Sequence, residues 1–417
     1  MAHLGKRVAT QVAIVGAGYA GMAAAVALAE RGIRVCVFES GAVPGGRARR
    51  IASQDCELDN GQHILSGAYT ELFRLMRTIG VPADALLRIP FEIRYADGFV
   101  FRMLWLPAPL GLAAGVLAAK SVPFRERIGA LRFMAALRKR HWRMQPDTTV
   151  KNLLDANGQH GRLRHYVWEP LCVSALNTPL DQASANMFLA ALRDTLGADA
   201  QAADLLLPRV DLSRLFPEPA AEFVRAHGGD IKCGCTVKDL DSLRNEYACV
   251  IVAVGPHQLR NVMPQAVLKY NYQPIYTCYL QYAESARLEF PMLGLREGLV
   301  QWVFDRGALV GERGRLACVI SAQGDHQQMT QDELAAACDR ELRKALPRLP
   351  PLQWNRVIAE KRATITCAPG LTRPSARTAT TGVFLAGDYT DPDYPPTLEA
   401  AVRSGIRAAE LVASELS

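Results

Sequence analysis

What the chain lacks narrows the field first. Ten cysteines are present, but none forms a CxxC pair, and no second Cys/His pair stands at ligand spacing, which argues against a metal centre. Cys36, Cys249, Cys278 and Cys318 lie in apolar runs and read as reduced core thiols of a reducing compartment. Cys233 and Cys235 are two apart, on one face if they belong to a strand. No internal repeat and no low-complexity linker appears. Aromatic residues are only 7% and charged residues 21% of the 417, against 49% hydrophobic. That balance excludes a mostly disordered chain, and a mean hydropathy of +0.02 excludes a polytopic membrane protein. The net charge of +7 is too small to imply nucleic acid, and no DNA- or RNA-binding motif accompanies it. The length allows two or three packed units.

One stretch without charge needs a decision. Residues 8–29 carry none and follow Lys6 and Arg7, as a signal peptide or membrane span would. The internal punctuation favours another reading. Val12–Val15 is a short buried-strand run, Gly16-x-Gly18-x-x-Gly21 follows, and Met22–Arg31 is helical by composition. Gly32 ends that helix, and Arg34–Phe38 is a second strand leading to Glu39. In this pattern Gly16 permits a tight turn, Gly18 admits a pyrophosphate, and Gly21 lets helix and strand pack closely. The turn Gly18-Tyr19-Ala20-Gly21 would present helix N-terminal N–H groups to phosphates. Glu39, 23 residues after Gly16, is placed to accept from ribose hydroxyls.

Two further segments extend this dinucleotide site. Ser40 to Arg49 contains Gly45-Gly46-Arg47, a loop whose amides and guanidinium suit further phosphate oxygens. Gly382–Asp388 is an apolar strand ending in Gly387-Asp388, followed by a proline-rich turn and a helix start at Thr397-Leu398. Strand segments are expected around Asp230–Cys233, Thr236-Val237 and Ala248–Gly255, with the backbone near Val237 able to meet an adenine. Residues 76–205 read as helical, and residues 270–323 alternate as antiparallel strands do. Gln331–Leu346 forms an amphipathic pattern with Leu334, Cys338, Leu342 and Leu346 in line.

These segments resemble the FAD-binding signature of the amine oxidase and phytoene desaturase superfamily. Leu58–Tyr69 (with Asp59-Asn60-Gly61-Gln62-His63), Trp168–Pro179, Gln301–Arg306 and Glu360–Thr364 resemble, more narrowly, the squalene-associated FAD-dependent desaturases, better described as hydroxysqualene dehydroxylases. The resemblance covers nearly the whole chain. It implies an α/β fold with a Rossmann-type FAD-binding domain, discontinuous over 1–75, 206–265 and 370–417. A substrate domain of antiparallel sheet and helices would take 76–205 and 266–369. It implies reductive dehydroxylation of hydroxysqualene to squalene, in squalene and hopanoid biosynthesis, with hydride from reduced FAD and loss of water. FAD would be non-covalent, since no cysteine follows Cys367. The flavin's external reductant is not identified, because no second glycine fingerprint for a nicotinamide nucleotide is present. Arg50 departs from the superfamily, which often has a small hydroxyl residue there.

For the chemistry, His63 and Glu169 are the candidate acids: His63 as an imidazolium near the flavin, Glu169 as a buried, protonated carboxyl. Gly61, Gln62 and His63 form a loop expected to pass near the isoalloxazine. Trp168, Asn177, Tyr276, Trp302, Phe304 and Tyr389 are the candidate substrate-pocket residues, and Tyr394 also flanks the Gly-Asp turn. Phytoene or carotenoid desaturation, amine oxidation, and a non-catalytic prenyl-lipid carrier of the same fold are the competing readings.

The basic excess is local. Met103–Ala119 is 17 residues without charge, including Trp105, Pro107 and Pro109, and Lys120–Arg143 carries eight Lys/Arg against one Glu. Phe124, Ile128, Leu131 and Ala135 fall on one helical face. Residues 101–143 are therefore expected to attach peripherally to the membrane surface, from the cytoplasmic side.

Overall fold

The structure, a computed structural model, describes residues 11–417 apart from 54, 55, 105, 107–109, 120, 198, 199 and 393. Lys6, Arg7, Trp105, Pro107, Pro109 and Lys120 of the sequence argument lie outside the described residues, as does the side chain of Cys56.

The strands Gln11–Val15 and Arg34–Phe38 flank a helix, Tyr19–Ala29. That helix starts three residues earlier than its composition suggested, because the Gly18–Gly21 turn is itself the first helical turn. Every residue of it is buried. It lies between a parallel sheet and the C-terminal helix Leu398–Leu416, so it has no polar face to offer. The parallel sheet runs in the order Asp230–Lys232, Arg34–Phe38, Gln11–Val15, Cys249–Val252, Val383–Leu385. Two close approaches hold the layers. A Cβ on Gly21 would fall 1.9 Å from Gly16 O, and one on Gly405 would fall 2.1 Å from Ala20 O.

A second five-stranded sheet is antiparallel: Met292–Gly294, Trp302–Asp305, Arg315–Ser321, Tyr272–Gln281, Trp354–Ile365. One of its faces joins the large helical core around Phe133, Trp168 and Phe188; the other packs on the helix Gln331–Ala345 through Leu334, Cys338 and Leu342.

Several local expectations change. Residues 76–205 are not all helical: Leu86–Ile89, Glu92–Arg94 and Val100–Arg102 are short strands among the helices. The strand at Asp230 stops at Lys232, so Cys233, Cys235, Thr236 and Val237 lie in the turn beyond it, with Cys233 exposed. Leu346 caps its helix rather than continuing it. Seven cysteines are buried with free thiols. In the helix Phe124–Lys139 the face buried in the protein is Ala130, Phe133, Met134 and Leu137, and the Phe124–Ile128–Leu131–Ala135 row lies off it, with Phe124 and Ala135 exposed. Among the described residues, no helix is long and apolar enough to cross a membrane.

Candidate active site

A cavity of about 600 Å³ opens where the C-terminal ends of the parallel strands face the antiparallel sheet. The glycine segments form its floor. Gly16 has φ +104°, and a Cβ there would lie 2.7 Å from Ala253 O. Gly45 N–H donates to Ala17 O at 2.8 Å, and Gly45 bridges Gly18. Gly46 approaches Gly18 so closely that a Cβ would stand 3.2 Å from its Cα. Gly18 begins the helix without a side-chain cap, which leaves the N–H groups of the first turn for an anion. Tyr19 and Ala20 also face the cavity; Gly21 does not, its part being the helix–strand contact.

Glu39 ends the second strand at the cavity edge. Its Oε2 accepts from Ala17 N–H at 2.8 Å and its Oε1 from Gly41 N–H at 2.7 Å, so the carboxylate is fixed before any ligand arrives. Ser40 and Val237 line the same end. At the opposite end, three separate segments converge on Arg47. Its guanidinium donates to Ala363 O at 2.6 Å and to Asp388 Oδ1 at 2.8 Å. Its carbonyl accepts from Asn60 Nδ2 at 2.9 Å, and Asn60 also donates to Glu360 at 3.1 Å. Gly387 N–H donates to Ser404 Oγ at 2.8 Å, and Thr397 Oγ1 caps the last helix at Ala400 N–H. Leu398 completes that wall. Arg50 turns away, pairing with Glu218 at 2.8 Å, so its departure from the usual small residue leaves the cavity untouched.

The loop Gly61-Gln62-His63 is braced from below by a buried ion pair. Asp59 and Arg306 are 3.3 Å apart, with 3% and 4% of their side chains exposed. Arg306 also donates to Gln62 Oε1 at 3.2 Å and pairs with Glu312 at 3.0 Å. Burial lifts the Asp59 carboxyl from 3.8 to about 6, against the pull of the Leu212 N–H and of Arg306.

His63 Nδ1 lies 3.1 Å from Gly61 O. Burial, with a smaller contribution from the charge of Arg47, lowers the imidazole below the ordinary histidine value. The ring is therefore neutral near pH 7, with Nδ1–H donating to Gly61 O and Nε2 left as an acceptor. The expected imidazolium is corrected on this ground. Glu169 is corrected too. It is not buried among apolar groups but 39% exposed, bonded to His165 Nδ1 at 3.0 Å. It lines a smaller pocket of about 140 Å³ that shares Trp302 and Ser321 with the main cavity.

Of the expected pocket residues, Asn177, Trp302, Phe304 and Tyr389 line the main cavity. Trp168 and Tyr276 do not. Trp168 lies edge-on to Phe133 in the helical core, its Nε1–H donating to Gln159 at 3.1 Å. Tyr276 alternates with Ile275 on its strand; Ile275 faces the cavity and Tyr276 faces His326 on the other side of the sheet. Tyr394 packs under Arg403, off the cavity. Asn177, with φ +45°, spends its amide on the sheet, accepting from Ala322 N–H at 2.8 Å and donating to Thr364 Oγ1 at 3.1 Å. Sequence reasoning missed Asn60, His257, Ser321 and Glu360; none stands in a glycine fingerprint, though Asn60 and Glu360 fall within segments that carried the resemblance.

The residues fit a flavin dinucleotide. An open helix N-terminus beside two glycine turns suits the pyrophosphate, and the fixed Glu39 carboxylate suits a ribose. Buried polar atoms without a partner among the described residues include Tyr389 OH and His257 Nδ1, both on cavity-lining residues, and Thr277 Oγ1, beside Gly61. Each would be costly to bury unless a ligand met it.

Comparison with known proteins agrees with this geometry. The sequence profile described as "Flavin containing amine oxidoreductase" matches residues 19–413. The chain is 29% identical to a hydroxysqualene dehydroxylase of Rhodopseudomonas palustris, over 96% of this chain and 98% of that one. It is 27% identical, with the same coverage, to a hydroxysqualene dehydroxylase of Zymomonas mobilis. It is 22% identical to a probable zeta-carotene desaturase of Synechococcus elongatus, again over 96% and 98%. Among solved structures, a putative protoporphyrinogen oxidase from Exiguobacterium shares the fold with a TM-score of 0.70 at 15% identity, covering 98% of this chain and all of that one.

Proposed function

Because the chain belongs to the flavin containing amine oxidoreductase family and is a flavin-dependent oxidoreductase, we propose that it binds FAD non-covalently and converts hydroxysqualene to squalene. The net change replaces a C–OH bond by C–H, consuming a hydride and a proton and releasing water. FAD in its reduced form supplies the hydride chemistry when bound. The observation that carries the reading is the full-length similarity to hydroxysqualene dehydroxylases, at 27–29% identity against 22–23% for zeta-carotene desaturases. Support comes from a cavity with a dinucleotide floor and a wall of Ile275, Trp302, Phe304 and Val319.

In this reading the glycine turns and the helix N-terminus hold the pyrophosphate, Glu39 a ribose, and Asp388 the ribityl chain. Trp302 and Phe304 exclude water and offer π-faces to positive charge developing at the allylic carbon. Neutral His63, with Nε2 free, accepts a hydrogen bond from the substrate hydroxyl and orients it. Glu169, at the neighbouring pocket and bonded to His165, is the candidate for relaying a proton from solvent to the departing oxygen. The reductant is an external donor of unassigned identity.

The deciding experiment is anaerobic. The protein is purified in mild detergent, its flavin is reduced with dithionite, and hydroxysqualene is added. Reoxidation with an equal amount of squalene formed is the expected result. Reduced flavin indifferent to hydroxysqualene, with oxidised flavin bleached by a carotene precursor or an amine, assigns a related oxidation instead. A colourless protein that takes up no FAD leaves a lipid carrier. His63→Ala with flavin bound is expected to lower turnover at least tenfold; full turnover in both His63→Ala and Glu169→Gln would refute the residue assignments.

A further inference from the structure

Nine large hydrophobic side chains are exposed among the described residues, and six of them fall between residues 100 and 124: Val100, Leu104, Leu106, Leu110, Leu117 and Phe124. Leu110 is 59% and Phe124 66% exposed. The clustering has a structural cause. The helix Leu110–Ala118 contains no polar side chain. It is seated by Leu112 and Val116 in the core and by a glycine edge, where a Cβ on Gly111 would lie 2.4 Å from Leu104 O and a Cβ on Gly115 2.4 Å from Arg102 O. The glycine edge thus binds the helix tightly to Arg102, Leu104 and Leu106, and the opposite edge, with Leu110 and Leu117, stays exposed among the described residues.

The next helix, Phe124–Lys139, adds charge beside this apolar edge. Its buried face is used up in the core. Arg125, Arg132 and Lys139 are exposed, and no carboxylate pairs with them among the described residues. The one acid of the stretch, Glu126, is turned inward to the N–H groups of Arg162 and Leu163. An uncovered apolar edge ringed by unpaired cations matches a surface that is oily beneath and anionic on top.

We propose that this face docks peripherally on an anionic phospholipid bilayer, with Leu104, Leu106, Leu110, Leu117 and Phe124 in the acyl boundary and Arg125, Arg132 and Lys139 among the headgroups. The nine-residue helix is about 13 Å long and the hydrocarbon core about 30 Å thick, so it lies in the interface and does not cross it. A symmetric dimer through the same face would bring these unpaired cations together, which disfavours a second copy as the occupant. Nucleic acid would leave the leucines unexplained. The docked face is close to the cavity: Phe133 of the basic helix packs on Trp168 at 5.7 Å, and the helix Glu169–Leu176 that follows puts Ser174 and Ala175 on the cavity wall. The inference rests on the surface alone and stands whatever the reaction proves to be.

The test is co-sedimentation of the full-length, flavin-loaded protein with vesicles. The protein is expected to pellet with phosphatidylcholine–phosphatidylglycerol vesicles and to be released by salt. Leu110→Ser/Leu117→Ser/Phe124→Ser and, separately, Arg125→Glu/Arg132→Glu/Lys139→Glu should each weaken binding at least about tenfold while keeping the wild-type flavin spectrum. Val267→Ser, which alters an equally exposed residue elsewhere, should bind as wild type does. The proposal is overturned if the wild type stays in the supernatant, if the two triple variants pellet unchanged, or if phosphatidylcholine alone binds as well. Light scattering that shows a dimer dissolved by the leucine–phenylalanine variant would assign the face to a second copy instead.

Discussion

Replacing Arg306 by Met tests the brace under the Gly61–His63 loop. At 3.3 Å the pair with Asp59 is worth about 5 kcal/mol in attraction at an effective dielectric constant of about 20. Much of that is offset by the cost of removing both charges from water. Taking away one partner exposes that cost. Asp59 keeps only the Leu212 N–H at 2.9 Å and is otherwise enclosed. The expected loss is about 3–5 kcal/mol, as for other buried pairs broken from one side. Restoring neutrality with Asp59→Asn in the same chain should recover a large part of it, giving a coupling of about 2–3 kcal/mol in a double-mutant cycle. The pH dependence carries a sign. Asp59 titrates near 6 in the folded protein and at 3.8 unfolded, so the folded state holds its proton more tightly and the contribution of this group declines as pH rises from about 4 to 6. Without Arg306 the carboxyl moves higher still, so Arg306→Met should gain stability relative to wild type when the pH is lowered from 7 towards 6. Urea unfolding of the four proteins, followed by near-ultraviolet circular dichroism, measures both effects. An Arg306→Met variant within about 0.5 kcal/mol of wild type, or a double variant no better than the single one, would refute the reasoning.

Further outcomes follow from other parts of the molecule. Gly21→Ala forces a Cβ to within 1.9 Å of Gly16 O, so it should abolish flavin retention, read as absorbance of the purified protein. Glu399→Gln should cost about 2–3 kcal/mol, because the fully buried carboxylate accepts from Glu71 N–H, Leu72 N–H and Arg403 and caps a helix that has no side-chain cap of its own. His63→Gln should flatten the acid side of the stability profile. Since the folded imidazole lies below 6.5, the unfolded chain takes up the proton first, and wild type loses stability as pH falls through that region while the variant loses less. Thermal unfolding of both proteins between pH 7 and 5 reads the difference.

The dinucleotide floor was legible because its logic is local. Glycine spacing, two short apolar strands and Glu39 lie within 30 residues and need no distant partner to be read. The side of a strand was not legible where both faces are buried. Ile275, Tyr276, Thr277 and Cys278 are all apolar or small, so nothing in the sequence says which faces the cavity. Trp168 was misplaced for a related reason. It ends a π-helical turn, Arg164–Trp168, where the extra residue per turn shifts the side-chain direction away from α-helical phase. Arg306 drew notice as part of a motif, but its partner is 247 residues earlier, a distance no periodicity spans. Glu169 looked buried from its apolar neighbours; the helix it starts turns it outward to His165.

The order of the parallel sheet has a consequence for how the protein is made. Residues 11–15 and 249–252 are synthesised before Val383–Leu385, the strand that covers the open edge of Cys249–Val252, and before Leu398–Leu416, the helix that closes the floor. Until those residues leave the ribosome, the Cys249–Val252 strand has an unpaired, wholly apolar edge, and the pocket has neither Asp388 nor Thr397. Flavin loading therefore waits until synthesis has passed the Leu398–Leu416 helix, and shortage of the cofactor would leave newly made chains with that seam least well held. Cells depleted of riboflavin should accumulate this protein in chaperone complexes or inclusion bodies sooner than a flavoprotein whose dinucleotide site is contributed by one continuous stretch of chain.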